Sequence, residues 1–225
     1  MAKTEKKGQE QIVNVQEAYS KTEQYVEENR NRLLIIAGIL VVLFAGYFAV
    51  TRLYLAPKNE EGMNLLWKAE YWMEIDSVEL ALAGNEAYYG FEYVADEYGS
   101  TEAGDLAAYY CGIIYLKKGE FQRSIDYLKD SDLDDALAGA VAKGAIGDAY
   151  AELGNFGEAL SFYERAISHS SNILTTPVYI KKAGLLLEEQ EKFTDALKMY
   201  QRIKDDYPKS NEARSIDSYI ARVGG

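Results

Sequence analysis

The chain has 225 residues, a net charge of −12 and 27% charged residues, room for one domain of common size plus a short additional segment. Only three prolines interrupt a chain rich in Ala, Leu, Glu, Lys and Tyr, a composition that favours helix over sheet and predicts an all-α fold. Residues 1–52 carry 7 Lys/Arg against 6 Asp/Glu, and residues 53–225 carry 17 against 30. The acidic excess therefore sits in the second part, which argues against nucleic-acid binding and against anionic lipid, because phosphate needs clustered Lys and Arg. Cys111, the one cysteine, excludes an internal disulfide and leaves the redox compartment open.

Residues 1–32 place Ile12, Val15, Tyr19, Thr22, Val26 and Asn29 three and four apart, the pattern of a short amphipathic helix that falls short of the sustained heptads of a coiled coil. Leu33 to Val50 is then an unbroken apolar run of 18 residues, extendable through Arg52 to Leu55. About 20 helical residues cross a hydrocarbon core of ~30 Å, so residues 33–55 are expected to form one transmembrane helix. A cleaved signal peptide is disfavoured, since 32 residues precede the run and no small-x-small processing site follows it. Lys21, Arg30 and Arg32 before the run outnumber Arg52 and Lys58 after it. With Lys3, Lys6 and Lys7 added, this leans toward a cytoplasmic amino terminus and residues 56–225 on the far side.

Pro57 to Gly62 reads as the break between anchor and domain. Beyond it the chain matches itself. Gly112, Tyr115, Gly119, Phe121, Ser124 and Leu128 recur as Gly147, Tyr150, Gly154, Phe156, Ala159 and Tyr163 at an offset of 35, and as Gly184, Leu187, Glu191, Phe193, Ala196 and Tyr200 after a further 37. A period near 34 residues marks the tetratricopeptide (helix-turn-helix) solenoid. The repeats fall at 105–138, 140–173 and 177–210. A degenerate unit precedes them at 62–98, with an opening helix around Gly62–Leu82 and a second element at 85–97 with Ala87, Phe91 and Val94 on one face. A capping helix follows at 211–223, with Ala213, Ile216 and Ile220 on one face, as the open end of such an array needs. Gly112, Gly147 and Gly184 are expected where the paired helices cross, opposite Ser124, Ala159 and Ala196. Asn155 with Glu158 forms a capping-box pattern. The stretches Asp130–Asp135 and Ser168–Pro177 read as inter-repeat loops.

Chemical candidates are few. His169 is the lone histidine, is expected as a solvated loop residue and has no nucleophile motif beside it. Asp130, Asp132, Asp134 and Asp135 resemble the start of a calcium loop, but Asp135 stands where glycine is required and Val141 where a bidentate Glu is required. Cys111, Tyr115, Tyr150, Tyr163 and Tyr200 are expected in the core, as are Trp67, Tyr71 and Trp72. The chain is thus expected to be no enzyme and to need no metal, cofactor or small-molecule substrate. What remains is the concave face lined by the first helix of each pair, which would present Tyr109 and Ile113, Gly144 and Asp148, and Lys181 and Leu185 as a partner groove. Asp148 would repel a carboxyl-terminal carboxylate, which disfavours the Lys/Asn clamp of some tetratricopeptide proteins.

The segments from Tyr71 to Leu82, from Tyr98 to Ala107 and from Gly147 to Gly154, together with the anchor, resemble the YfgM-like tetratricopeptide proteins of the bacterial inner membrane. That resemblance implies a periplasmic repeat domain and an accessory role at the Sec translocon. The implied protein partners are translocon subunits and a membrane-anchored periplasmic chaperone of the PpiD type, related to peptidyl-prolyl isomerases. Two alternatives stand beside it: another cell-envelope scaffold, for cell wall or outer membrane, and an enzyme with an unrecognised site.

Overall fold

The computed structural model describes residues 23–224, and all of the regular structure in them is helical. The chain divides into two compact units, residues 1–54 and 55–225. Most of the amphipathic segment expected at residues 1–32 lies outside the described residues.

In the first unit, helix α1 spans Arg30–Ala49 and covers most of the apolar run; it leads into a π-helical stretch, Val50–Leu55. The Thr51 hydroxyl donates to the carbonyls of Tyr47 (2.9 Å) and Phe48 (3.2 Å), competing with the backbone ladder where the helix widens. Its apolar side chains are exposed, Phe44 by 71% and Val42 by 70%. By length and composition alone it could cross a membrane.

The second unit opens with α2 (Ala56–Glu74), α3 (Val78–Ala83) and α4 (Phe91–Tyr98). The single opening helix expected to reach Leu82 is broken at Asp76, whose φ of 59° turns the chain. Ala87 is not on a helix face. It belongs to a turn in which Asn85 Oδ1 accepts from the amides of Ala87 (2.9 Å) and Tyr88 (3.0 Å), an arrangement that favours a turn over continued helix. Phe91 and Val94 are buried as expected.

Three helix pairs follow: α5 (Glu102–Lys118) with α6 (Phe121–Asp130), α7 (Ala138–Glu152) with α8 (Phe156–His169), and α9 (Thr176–Glu189) with α10 (Phe193–Asp206). Helix α5 shows why the sequence folds this way. Thr101 caps its start by accepting from the Gly104 amide (3.3 Å), acidic Glu102 and Asp105 occupy its first turn and Lys117 and Lys118 its last, and Gly119 ends it in the left-handed conformation. Asn59 on α2 adds a second cap by accepting from the Ala103 amide at 2.9 Å, which docks α2 against the start of the pairs. Asn155 caps α8 through the Glu158 amide at 3.5 Å.

The glycines sit where the paired helices cross, but their opposites lie one turn further along than Ser124, Ala159 and Ala196. A Cβ on Gly112 would lie 2.3 Å from Leu128, one on Gly147 2.7 Å from the Tyr163 ring, and one on Gly184 2.5 Å from the Tyr200 ring. Ser124 instead ties its pair together by donating to the Gly112 carbonyl at 2.8 Å. Cys111 is buried, as are Tyr115, Tyr163 and Tyr200, while Tyr150 is only half-buried. Each second helix also packs on the next first helix, α6 on α7 and α8 on α9. This joins three apolar clusters into one stack. At its far end a short 3-10 turn, Glu212–Ser215, leads into α11 (Ile216–Val223), whose Ile216 is buried against α10. Arg222 clamps this cap through Glu188 on α9, with Nη2 donating to Oε2 at 2.7 Å, and Tyr200 donates to the same oxygen at 2.9 Å.

Trp72 is buried, but Trp67 and Tyr71 are 55% and 46% exposed. This corrects their expected core placement: Trp72 points from α2 into the cluster with α3 and α4, whereas Tyr71 and Trp67 stay about half exposed, Trp67 in edge contact with Tyr88 at 6.0 Å.

Candidate protein-binding groove

The first helices of consecutive pairs, α5 with α7 and α7 with α9, touch one another, so one face of the stack is built from them. A cleft of about 520 Å³ opens there. Leu116, Lys117 and Phe121 line one side, Asp148, Ala151 and Glu152 the middle, and Lys182 with Tyr163 the other. Asp148 organises it. Its Oδ1 and Oδ2 accept from Lys182 Nζ at 2.7 and 2.6 Å, and Oδ1 also accepts from the Tyr163 hydroxyl at 2.9 Å. Burial, reinforced by the Asp148 charge, pushes the Tyr163 phenol above its ordinary range, and burial does the same for Tyr179. Both phenols therefore stay neutral near pH 7 and act as hydrogen-bonding and packing groups.

Of the six residues predicted to line a groove, Asp148 alone lies in this cleft. Tyr109 and Ile113 are half-buried and pack on the cluster around Ile125, Leu128 and Ile146. Gly144 is no surface position. It is buried, and a Cβ there would lie 1.9 Å from the Tyr179 ring, so its lack of a side chain admits Tyr179 from α9. Leu185 is 39% exposed, and Lys181 stands 4.5 Å over the Tyr219 ring of the cap. The partner of Asp148 is the next residue, Lys182. One residue rotates a helical side chain by about 100°, so the Lys181–Lys182 pair did not reveal in sequence which lysine faces α7. With Lys182 in place the Asp148 charge is paired, and the groove offers ion pairs and hydrogen bonds beside the apolar Leu116 and Phe121.

His169 is not a solvated loop residue. It ends α8, and its Nε2 lies 3.0 Å from the Asp135 carbonyl oxygen, joining that helix to the α6–α7 loop. Asp135 caps α7 by accepting from the Leu137 and Ala138 amides, both at 2.8 Å, which pulls its carboxyl below the ordinary range. No cluster of three or more potential metal ligands occurs among the described residues.

Stacked helix pairs closed by a cap and carrying a mixed groove define a helical-repeat domain. Residues 63–219 match the family described as T7SS, ESX-1 secretion system protein EccA1, N-terminal domain, and the chain belongs to that family. No curated protein matches the chain. This membership overturns the resemblance to YfgM-like proteins. The Gly147-to-Gly154 motif that supported it is made of residues any close helix pair requires: Gly147 under Tyr163, and Gly154 at a φ of 73°. Such motifs report packing and do not separate one repeat family from another. The Sec translocon subunits and the PpiD-type chaperone entered with that resemblance and lose their support with it.

Proposed function

We propose that the chain is a membrane-tethered, non-enzymatic interaction module of a protein-secretion apparatus, a tetratricopeptide-type array that holds protein partners along the α5–α7–α9 groove. Membership of a secretion-system family over residues 63–219 carries this reading. The cleft around Asp148 and Lys182 supplies a surface able to engage an extended polypeptide. Broad, mixed surfaces of this kind hold partners with modest affinity, and tethering in the same membrane raises the effective concentration of both. Residues 33–55 would be the tether, crossing the membrane once with a cytoplasmic amino terminus. A non-catalytic role agrees with the one cysteine being buried, its thiol held above the usual range by desolvation, and with His169 being engaged by a backbone carbonyl.

Site-specific photo-crosslinking in intact membranes tests the groove. Probes at the cleft positions Lys117, Glu152 and Lys182 should capture secretion components or exported chains, while probes at the outer positions Glu164 and Lys198 should capture far less. Equal capture from both faces would sink the assignment. The tether is tested by alkaline carbonate extraction: the full chain should stay with the membrane, and release into the supernatant would refute the span.

A further inference from the structure

A second groove lies apart from the one around Asp148, between α2, the start of α5 and the loop joining α6 to α7. Met63, Leu106 and Leu133 form its apolar floor, and Glu102, Asp105, Asp132 and Asp134 ring it, enclosing about 310 Å³. The floor continues along α2. Met63, Trp67, Tyr71 and Ile75 recur every four residues on one face and are 39%, 55%, 46% and 53% exposed, so the helix presents a half-exposed apolar stripe that only the edge of the Tyr88 ring, 6.0 Å from Trp67, and Lys68 cover in part among the described residues.

Charge decides what could cover it. Residues 59–116 contain one Lys, Lys68, and twelve Asp or Glu. Lys68 is already placed over its own aromatic neighbours, 4.6 Å from the Tyr71 ring and 5.3 Å from that of Trp67. Glu102, Asp105, Asp132 and Asp134 enter no ion pair among the described residues. Desolvation foremost, with repulsion from Asp132 and Glu102, raises the Asp105 carboxyl, against the lowering by the Asp132 amide that donates to its Oδ1 at 3.1 Å; the rim carboxylates thus stand together without a cation between them. Anionic headgroups and nucleic acid are repelled by such a rim. A second copy of this acidic unit would bring like charge against like. A segment with apolar side chains on one face and Lys or Arg beside them satisfies both floor and rim, and a methionine-bearing floor adapts to varied apolar shapes.

We infer that this acid-rimmed groove is a docking site for basic amphipathic segments of protein partners, with Met63, Leu106 and Leu133 taking the apolar side chains and Asp132 and Asp134 the cations. The inference names the partner chemistry for the interaction role proposed above and rests on that role, though at a different surface.

The test uses the full chain in nanodiscs of zwitterionic lipid, with empty discs as background, and two fluorescent 18-residue helical peptides, one of Leu and Lys and one of Leu and Glu. The Leu/Lys peptide should bind, the Leu/Glu peptide should not, and added salt should weaken binding. Asp132→Lys with Asp134→Lys should weaken it about tenfold or more, because both side chains are exposed and their reversal replaces attraction by repulsion. Met63→Ser should weaken it several-fold. Glu164→Lys with Glu189→Lys, an equal charge change elsewhere, should alter it less than twofold, with helical circular dichroism unchanged in every variant. Equal weakening by the two double variants, or equal binding of both peptides, would overturn the inference. So would a photo-crosslinker at Met63 that yields only self-dimers, assigning the groove to a second copy. If photo-capture from Lys182 survives while the Leu/Lys preference is absent, this inference fails and the α5–α7–α9 groove stands; if capture from Lys182 also fails, the interaction role itself fails.

Discussion

Gly147 is the residue whose identity the packing constrains most directly. The space its missing Cβ leaves is filled by Tyr163, a buried ring held at its far end by Asp148, so a larger side chain can be admitted only by separating α7 from α8. Gly147→Leu should destabilise the domain by about 1–3 kcal/mol or more. Urea unfolding followed by circular dichroism measures it, and an unchanged midpoint would mean the helices do not cross there. Glu188 provides a pH-dependent counterpart. Hydrogen bonding from Arg222 foremost, then from Tyr200, lowers its carboxyl below the ordinary 4.5. A depressed folded-state pKa contributes stability that is fully present above the unfolded value and is lost as the pH falls through the folded one. Glu188→Gln should therefore cost stability at pH 7 and progressively less as the pH falls below the ordinary 4.5 toward the lowered folded-state value. Parallel melting curves at pH 7 and pH 3 would show the gap narrowing; a constant gap would detach Glu188 from the acid response.

At the scale of elements, the turn inside each helix pair uses one backbone solution with different residues. Gly119 and Gly154 have φ values of 76° and 73°, and the equivalent residue in the third pair is Glu191 at 58°. A residue with a Cβ pays roughly 1–2 kcal/mol for that left-handed conformation. Glu191 is exposed, so Glu191→Gly should remove strain and disturb no core contact. Stability should rise by about 1 kcal/mol, less a fraction for the added freedom of glycine in the unfolded chain. Differential scanning calorimetry would register a higher Tm, and a lower one would show that the turn is not strained. The same position shows how far repeat phasing reaches. The 35-residue match aligned Gly119 with Gly154, the 37-residue match put Glu191 beside them, and all three adopt one geometry. Phasing did less well in the degenerate unit, where no second copy constrained the reading. There the Asp76 turn and the Asn85 turn divide what periodicity joined, because local side-chain bonds to backbone amides outweigh a weak apolar pattern.

For the whole molecule, the three clusters make the repeat array one cooperative body whose last layer is completed by α11. Ile203, Tyr200 and Leu187 are each less than 5% exposed, beneath a cap in which Ile216 is 1% exposed. Ending the chain at residue 210 should uncover this cluster, lower the denaturant midpoint and promote self-association, as uncapped arrays do. Sedimentation of residues 56–225 against residues 56–210 reads the difference; two equally soluble, equally stable monomers would show that the cap is dispensable.

The sequence by itself determined the helical class, the apolar run, the phase of three repeats, the burial of Cys111 and the glycine positions, because each depends on spacing along one helix or on recurrence along the chain. The tertiary structure decided which helix faces meet. It placed Lys182 on Asp148 and Lys181 on Tyr219, closed Gly144 beneath Tyr179, tied His169 to the Asp135 carbonyl and left Trp67 and Tyr71 about half exposed. Each of those outcomes turns on a helix rotation of a residue or less, and that angle is set by partners far away in sequence. Membership of the secretion-system family lay beyond both, since repeat motifs encode the packing of helix on helix and not the identity of what the finished surface binds.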